Sequence, residues 1–155
     1  MATKPIPDGY HSATPYLMVK GAAQAIDYYR RSFGATELFR IADEQGRIGH
    51  AEIRIGDSVI MLADEHPGTV CRGPHSLGGS SVGLMIYVDD VDNVFAQALA
   101  AGGKSLRPLA NQFYGDRSGT FEDPFGHIWT VATHVEDVPP EELERRIAAM
   151  KSASA

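Results

Sequence analysis

The sequence predicts an α+β protein built from two βαβββ modules whose curved mixed sheets surround a cup. Three observations predict it. An apolar strand followed by an amphipathic helix occurs twice, and each occurrence is succeeded by strand-like runs separated by turn residues. Sliding the chain on itself by 69 residues places Val88 on Val19, Gly103 on Gly34, Gly115 on Gly46 and Thr130 on Met61, so strand ends, helix stops and hairpins register without a gap. A chain of 155 residues, 43% of them hydrophobic, can bury one core but not two independent ones, so both modules belong to one domain.

The first module, about residues 12–64, opens with the apolar strand Tyr16 to Val19. A helix follows over Gly21 to Phe33, where Ala22, Ala25, Ile26, Tyr29 and Phe33 recur at helical spacing before the Gly34 stop. Glu37 to Ile41, Gly49 to Ile55 and Ser58 to Leu62 read as strands, with hairpin turns at 43–46 and at Gly56-Asp57. A Gly/Ser/Pro-rich stretch from Glu65 to Ser81 either covers the cup or only connects the modules. The second module, about 82–134, repeats the order with a strand at Gly83 to Val88, a helix at Val91 to Ala101 and strands ending in Ile128 to Thr133. After Pro139-Pro140, acids precede bases along 139–150, as the helix dipole favours, so a short amphipathic helix is predicted. It is read first as a cap on the sheet and second as a partner-binding element.

The formal charge of −6 and the scattered Lys104 and Arg107 leave no basic stripe for nucleic acid. Apolar runs stop short of the ~20 residues a bilayer span needs, and no export signal opens the chain. The single Cys71 allows no internal disulfide and fits a reducing compartment, so the expected location is the cytoplasm.

Several segments resemble one known superfamily. They are 14–19 (TPYLMV) leading into 25–29 (AIDYY), 49–53 (GHAEI), and above all Gly115-Asp116-Arg117 through Asp123-Pro124-Phe125-Gly126-His127-Ile128-Trp129 to Ala132-Thr133-His134. These residues resemble the vicinal-oxygen-chelate proteins, the glyoxalase, bleomycin-resistance and extradiol-dioxygenase group, and specifically their PhnB-like branch. The resemblance implies paired βαβββ modules around a cup that a homodimer commonly completes. It also implies where metal-dependent relatives hold a divalent ion with His and Glu. Matched motif by motif, those four positions are Thr14, Met61, Gly83 and Thr130 here. Hydroxyls, a thioether and a glycine do not make a zinc-type or iron-type donor set, so neither a metal of this kind nor any other cofactor is expected.

Alternation about the Gly56-Asp57 turn sets Arg54 opposite Val59 and Glu52 opposite Met61. His50, Glu52, Arg54 and Met61 then share the cup face, with Ala51, Ile53, Ile55, Ile60 and Leu62 on the helix side. Moved by the internal offset, the same pattern gives Gly119, Phe121, Ile128 and Thr130 to the cup and Trp129 and Val131 to the core. The leading strands add Thr14, Tyr16 and Met18, then Gly83, Met85 and Tyr87. His50 and Glu52 are the candidate catalytic pair, because a carboxylate beside an imidazole in a desolvated cavity can bring either pKa toward neutrality. An alternative reading pairs Glu52 with Arg54 or another cation. Tyr16, Met18, Arg54, Met61, Met85, Tyr87, Phe121 and Thr130 are candidate ligand-binding residues, with Tyr114 and Arg117 in a loop where Arg117 either holds an anionic ligand or fixes the loop through Asp116 or a carbonyl. The remaining histidines and Cys71 read as loop or turn residues.

Three functions fit. The first is binding of a small apolar or aromatic molecule in a metal-free cup. The second is a lyase, isomerase or dioxygenase that uses His50 and Glu52 or a differently placed metal. The third is a dimeric regulatory or interaction module. The expected partners are a small molecule and a second copy of the chain, with no nucleic acid and no membrane.

Overall fold

The computed structural model describes residues 3–154. β1 (Tyr16–Val19), α1 (Ala22–Phe33), β2 (Thr36–Ala42), β3 (Ile48–Ile55) and β4 (Ser58–Asp64) form the first βαβββ module. A one-turn helix, α2 (Pro74–Leu77), interrupts the Gly/Ser/Pro-rich linker. β5 (Gly83–Tyr87), α3 (Val91–Ala100), β6 (Lys104–Asn111), β7 (Asp116–Glu122) and β8 (Ile128–His134) form the second module, and α4 (Pro140–Ala153) ends the chain. Each module is a four-stranded mixed sheet, ordered β1-β4-β3-β2 and β5-β8-β7-β6, whose first strand runs parallel to its last.

The helices start where the sheets hold them. Gly21 has no side chain to cap α1, so the Asp64 carboxylate at the end of β4 accepts from the backbone N–H groups of Gly21 and Ala22, both at 2.8 Å. The residue 69 further on does the same for α3: the Thr133 hydroxyl accepts from Val91 N at 3.0 Å. α1 and α3 then pack on each other, with the Tyr28 hydroxyl donating to Ala98 O at 2.9 Å. Burial raises the Tyr28 phenol to about 12. Phe33 lies on Trp129 and Phe121, so one continuous core joins the helix sides of both sheets.

The strict offset fails in one place, and the failure moves a predicted site residue. In β3, Ile48 pairs with Ala42 and His50 pairs with Ile41, which leaves Gly49 as an extra residue in a β-bulge. β7 has no counterpart, since Arg117 and Ser118 pair with consecutive partners Asn111 and Ala110. The missing residue returns in the hairpin. Two residues, Gly56 and Asp57, separate Ile55 from Ser58, whereas Asp123 and His127 extend the β7–β8 ladder around the three residues 124–126. β7 is therefore turned over relative to the prediction, because strand side chains alternate. Thr120 faces front, opposite Thr130. Phe121 is fully buried in the core, and a Cβ on Gly119 would stand 2.7 Å from the Phe95 ring of α3, so neither belongs to the front face.

α4 is not the cap that was expected. Among the described residues it buries none, and it is tied to the body by Arg146, whose guanidinium donates to Glu136 at 2.6 Å and to Phe113 O at 3.0 Å. No helix among the described residues is long and apolar enough to cross a membrane.

Candidate functional site

The helix sides of both sheets share the core, which leaves the opposite, front faces to carry the chemistry. On the first sheet the pairing aligns Tyr16, Met61, Glu52 and Phe39 in one row across the four strands. Met18, Ala63, His50 and Ile41 form the next row, and Val59 and Arg54 lie on the other side. Phe39 and Ile41 are 45% and 57% exposed although large and apolar. The alternation that predicted this face follows from the Gly56-Asp57 turn, and the observed register Glu52↔Met61 agrees with it.

Glu52 is the buried polar group of this face, with 8% of its surface exposed. Its carboxylate accepts from the Tyr10 hydroxyl on one oxygen and lies 3.1 Å from His50 Nε2 on the other. His50 Nδ1 in turn lies 2.6 Å from the Tyr16 hydroxyl. An ionised carboxylate only accepts, so the hydrogen on His50 Nε2 points to Glu52, and the Tyr16 hydroxyl meets the other ring nitrogen. Tyr16 and Phe39 wall the imidazole at centroid distances of 5.4 and 5.6 Å. Arg54 does not pair with Glu52; its guanidinium lies beside Gly9.

The Tyr10 hydrogen bond, reinforced by His50, holds the Glu52 carboxyl below its ordinary range against the opposing effect of burial. Tyr10 shifts in the complementary direction, raised first by the same bond. The anticipated drift of Glu52 toward neutrality is thus reversed. The group is a firm hydrogen-bond acceptor and a weak proton acceptor. Because its folded-state pKa is depressed, its stabilising contribution is complete above the unfolded value of about 4.3 and disappears as pH falls through the folded value. Urea denaturation of the wild type and Glu52→Gln should therefore differ at pH 7, and the difference should shrink toward pH 3; a gap that persists unchanged in acid contradicts this charge state.

The second front face is different. Met85, Thr130 and Thr120 align, with the two threonine hydroxyls 2.9 Å apart. Ile128 faces front beside Gly83. Tyr87 donates to the buried Asp116 at 2.8 Å, and the other Asp116 oxygen holds His134 Nδ1 at 2.8 Å. His134 also meets Asp137 at 2.9 Å, and the two carboxylates, Asp116 foremost, raise its pKa. Arg117 belongs to neither face group. It points to the helix side, where its fork binds Asp92 of α3 at 2.7 and 2.8 Å, so the predicted anion-holding role has no free guanidinium behind it. Tyr114 sits in the β6–β7 turn against Phe113.

Two clefts flank the first strand. One of about 510 Å³ lies between the segment His11 to Pro15, the start of β4 and β5, and includes Thr14, Val59, Met85 and Tyr87. The other, about 390 Å³, lies where the linker covers β1 and is lined in part by Tyr16, Met18, Arg72, Leu77 and His127. Both are of small-molecule size. The four positions assigned from metal-dependent relatives offer a poor fit to a divalent ion: Thr14 and Met61 lie on one face, Gly83 and Thr130 on the other, and the Thr130 hydroxyl is engaged by Thr120. Among the described residues no group of three or more His, Cys, Asp or Glu side chains is arranged to hold a metal ion.

Sequence reasoning missed Tyr10 and the Tyr87–Asp116–His134 group. Tyr10 precedes any strand or helix, and its partner is 42 positions away, so no local pattern marks it.

Comparison with known proteins agrees with this architecture. The sequence model of the Glyoxalase/Bleomycin resistance protein/Dioxygenase superfamily matches residues 10–131. An uncharacterized protein of Mycobacterium bovis is 41% identical over 143 residues, covering 90% of this chain and 91% of its own. TioX from Micromonospora sp. ML1 superposes with a TM-score of 0.63 at 27% identity, over 80% of this chain and all of TioX. The PhnB protein from Bacillus cereus shares the fold at a TM-score of 0.63 and 20% identity, over 79% of this chain and 99% of its own.

Proposed function

The chain belongs to the Glyoxalase/Bleomycin resistance protein/Dioxygenase superfamily, and from that premise we propose that it binds a small apolar or aromatic molecule on the front face of its first sheet without the metal used by metal-dependent relatives. The observation that carries this reading is an acceptor group, Glu52 with His50, set in an otherwise apolar and aromatic wall of Tyr16, Met18, Phe39, Ile41 and Met61. Few convergent polar groups in an apolar concavity are the usual constitution of a small-molecule site. A second copy of the chain completes the site, since Phe39, Ile41, Met85 and Tyr87 are large, apolar or aromatic, and exposed in the single chain.

Native mass spectrometry of protein purified without chelator tests both halves: a dimer carrying a small organic molecule is expected, whereas a monomer, or a dimer holding a stoichiometric metal ion, contradicts the proposal. Fluorescence titration with N-phenyl-1-naphthylamine, a neutral apolar probe, is expected to show saturable binding that Phe39→Ala weakens about tenfold, as loss of an exposed ring that the probe covers predicts. A second reading, an isomerase or lyase, draws on the continuous Tyr16–His50–Glu52 hydrogen-bond chain, which could relay a proton. The depressed Glu52 pKa favours anchoring over proton abstraction.

A further inference from the structure

Residues 3–15 carry no helix or strand, and among 3–13 every residue but the partly buried Tyr10 is exposed. The segment crosses the lower end of the first front face. Among the described residues its side-chain polar contacts with the rest of the chain are Tyr10 to Glu52 and His11 to Asp57, the latter 3.2 Å from the exposed carbonyl. Its other bonds are Lys4 to Asp8 and Tyr10 N to Pro7 O, both internal to the segment, and Met61 N to Pro15 O at 2.9 Å, which ties only its last residue to β4. A strap fastened by so few contacts belongs to the low-stability end of a fold and can lift without unfolding the sheets. Beneath its last residues, His11 to Pro15, lies the 510 Å³ cleft.

The strap's one anchored side chain is chemically specific. A phenol donates its hydrogen to an ionised carboxylate that has already accepted from His50, beside the Tyr16 and Phe39 rings. A carboxylate bond of this kind is charge-assisted, about twice as strong as a neutral one, and selective for donors over acceptors. Glu52 is the buried carboxylate of that wall, set beside apolar and aromatic side chains.

We infer that Tyr10 is an internal stand-in for the ligand: its phenol occupies a donor subsite on Glu52, and the molecule taken up is an aromatic bearing a hydroxyl, a phenol, which displaces the strap. The inference rests on the proposed binding face and names its ligand class. Tyr10 then competes with the ligand, so the apparent affinity is reduced by the fraction of time the strap is down. An aromatic of the same size without the hydroxyl leaves the carboxylate unpaired when it enters, or binds beside a strap that stays closed.

Titration of wild type, Tyr10→Phe and Glu52→Gln with 2-naphthol and 2-methoxynaphthalene, followed by ligand fluorescence, tests this directly. 2-Naphthol is expected to bind wild type about tenfold more tightly than its methyl ether, the discrimination one hydrogen bond to a charged group provides. Tyr10→Phe, which keeps the ring and removes only the competing hydroxyl, should tighten 2-naphthol several-fold. Glu52→Gln should bring the two ligands close to equal affinity, with circular dichroism confirming that both variants fold. Equal binding of both ligands to wild type and Tyr10→Phe overturns the phenol subsite while leaving the apolar face intact. Weaker binding of 2-naphthol to Tyr10→Phe overturns the competition. Binding of neither ligand to either protein overturns the inference together with the face on which it rests.

Discussion

Replacing Asp123 with alanine is expected to cost on the order of 4 kcal/mol, enough to unfold much of the population of a domain of ordinary stability. Asp123 is 2% exposed and accepts four hydrogen bonds. One oxygen takes the backbone N–H groups of Phe125 and His127 at 2.9 and 3.0 Å, closing the β7–β8 turn. The other takes the Tyr29 hydroxyl at 2.7 Å and the Trp129 indole N–H at 2.8 Å. Tyr29 and Trp129 are themselves fully buried, so truncation strands their donors away from water, and each stranded donor costs roughly 1–3 kcal/mol. Asp123→Asn should be intermediate, because its amide can still accept on one side but presents hydrogens to an indole that can only donate. Urea denaturation of the three proteins checks the order; a loss below about 1 kcal/mol for alanine would show that water or relaxation satisfies these groups.

The second large effect is expected at Gly115, where alanine should lower stability by about 3 kcal/mol and release the C-terminal segment. Gly115 has φ +104°, outside the comfortable range of a residue with a side chain. A Cβ there would stand 2.0 Å from Glu136 O. The same residue's carbonyl accepts from Val135 and Glu136 at 2.9 and 3.0 Å, so the clash falls on the backbone that leads to α4. Limited proteolysis should cut Gly115→Ala after residue 134 faster than wild type, alongside a lower urea midpoint. Wild-type protease resistance in the variant would contradict the close approach.

Much of the fold was legible because its periodicities are local. The strands of the first module and the helix of each module lie within one or two residues of their predicted bounds, since each is marked by alternation or by a Gly stop such as Gly34. The first front face was legible for the same reason: the short Gly56-Asp57 turn fixes its register. The second was misread because its errors cancel in the count. A bulge residue present only at Gly49 and a loop residue present only at 124–126 preserve the 69-residue offset at every landmark outside β7, so the flip of Phe121 leaves no trace in the alignment of the halves. Tyr10 and the attachment of α4 depend on contacts between distant segments, which composition and spacing do not encode. Arg117 looked available because its partner, Asp92, lies 25 residues earlier on a helix.

The bulge at Gly49, which β7 lacks, also makes the duplication inexact in a useful sense. A perfectly repeated chain would present the same wall twice, and a guest could enter in either of two equivalent poses. Here one wall offers a carboxylate and an imidazole, while its sibling offers paired threonine hydroxyls and a tyrosine clamped to an aspartate. An unsymmetrical guest can therefore tell head from tail, and grafting the β7 sequence onto β3 residue for residue would turn that strand inside out rather than restore symmetry.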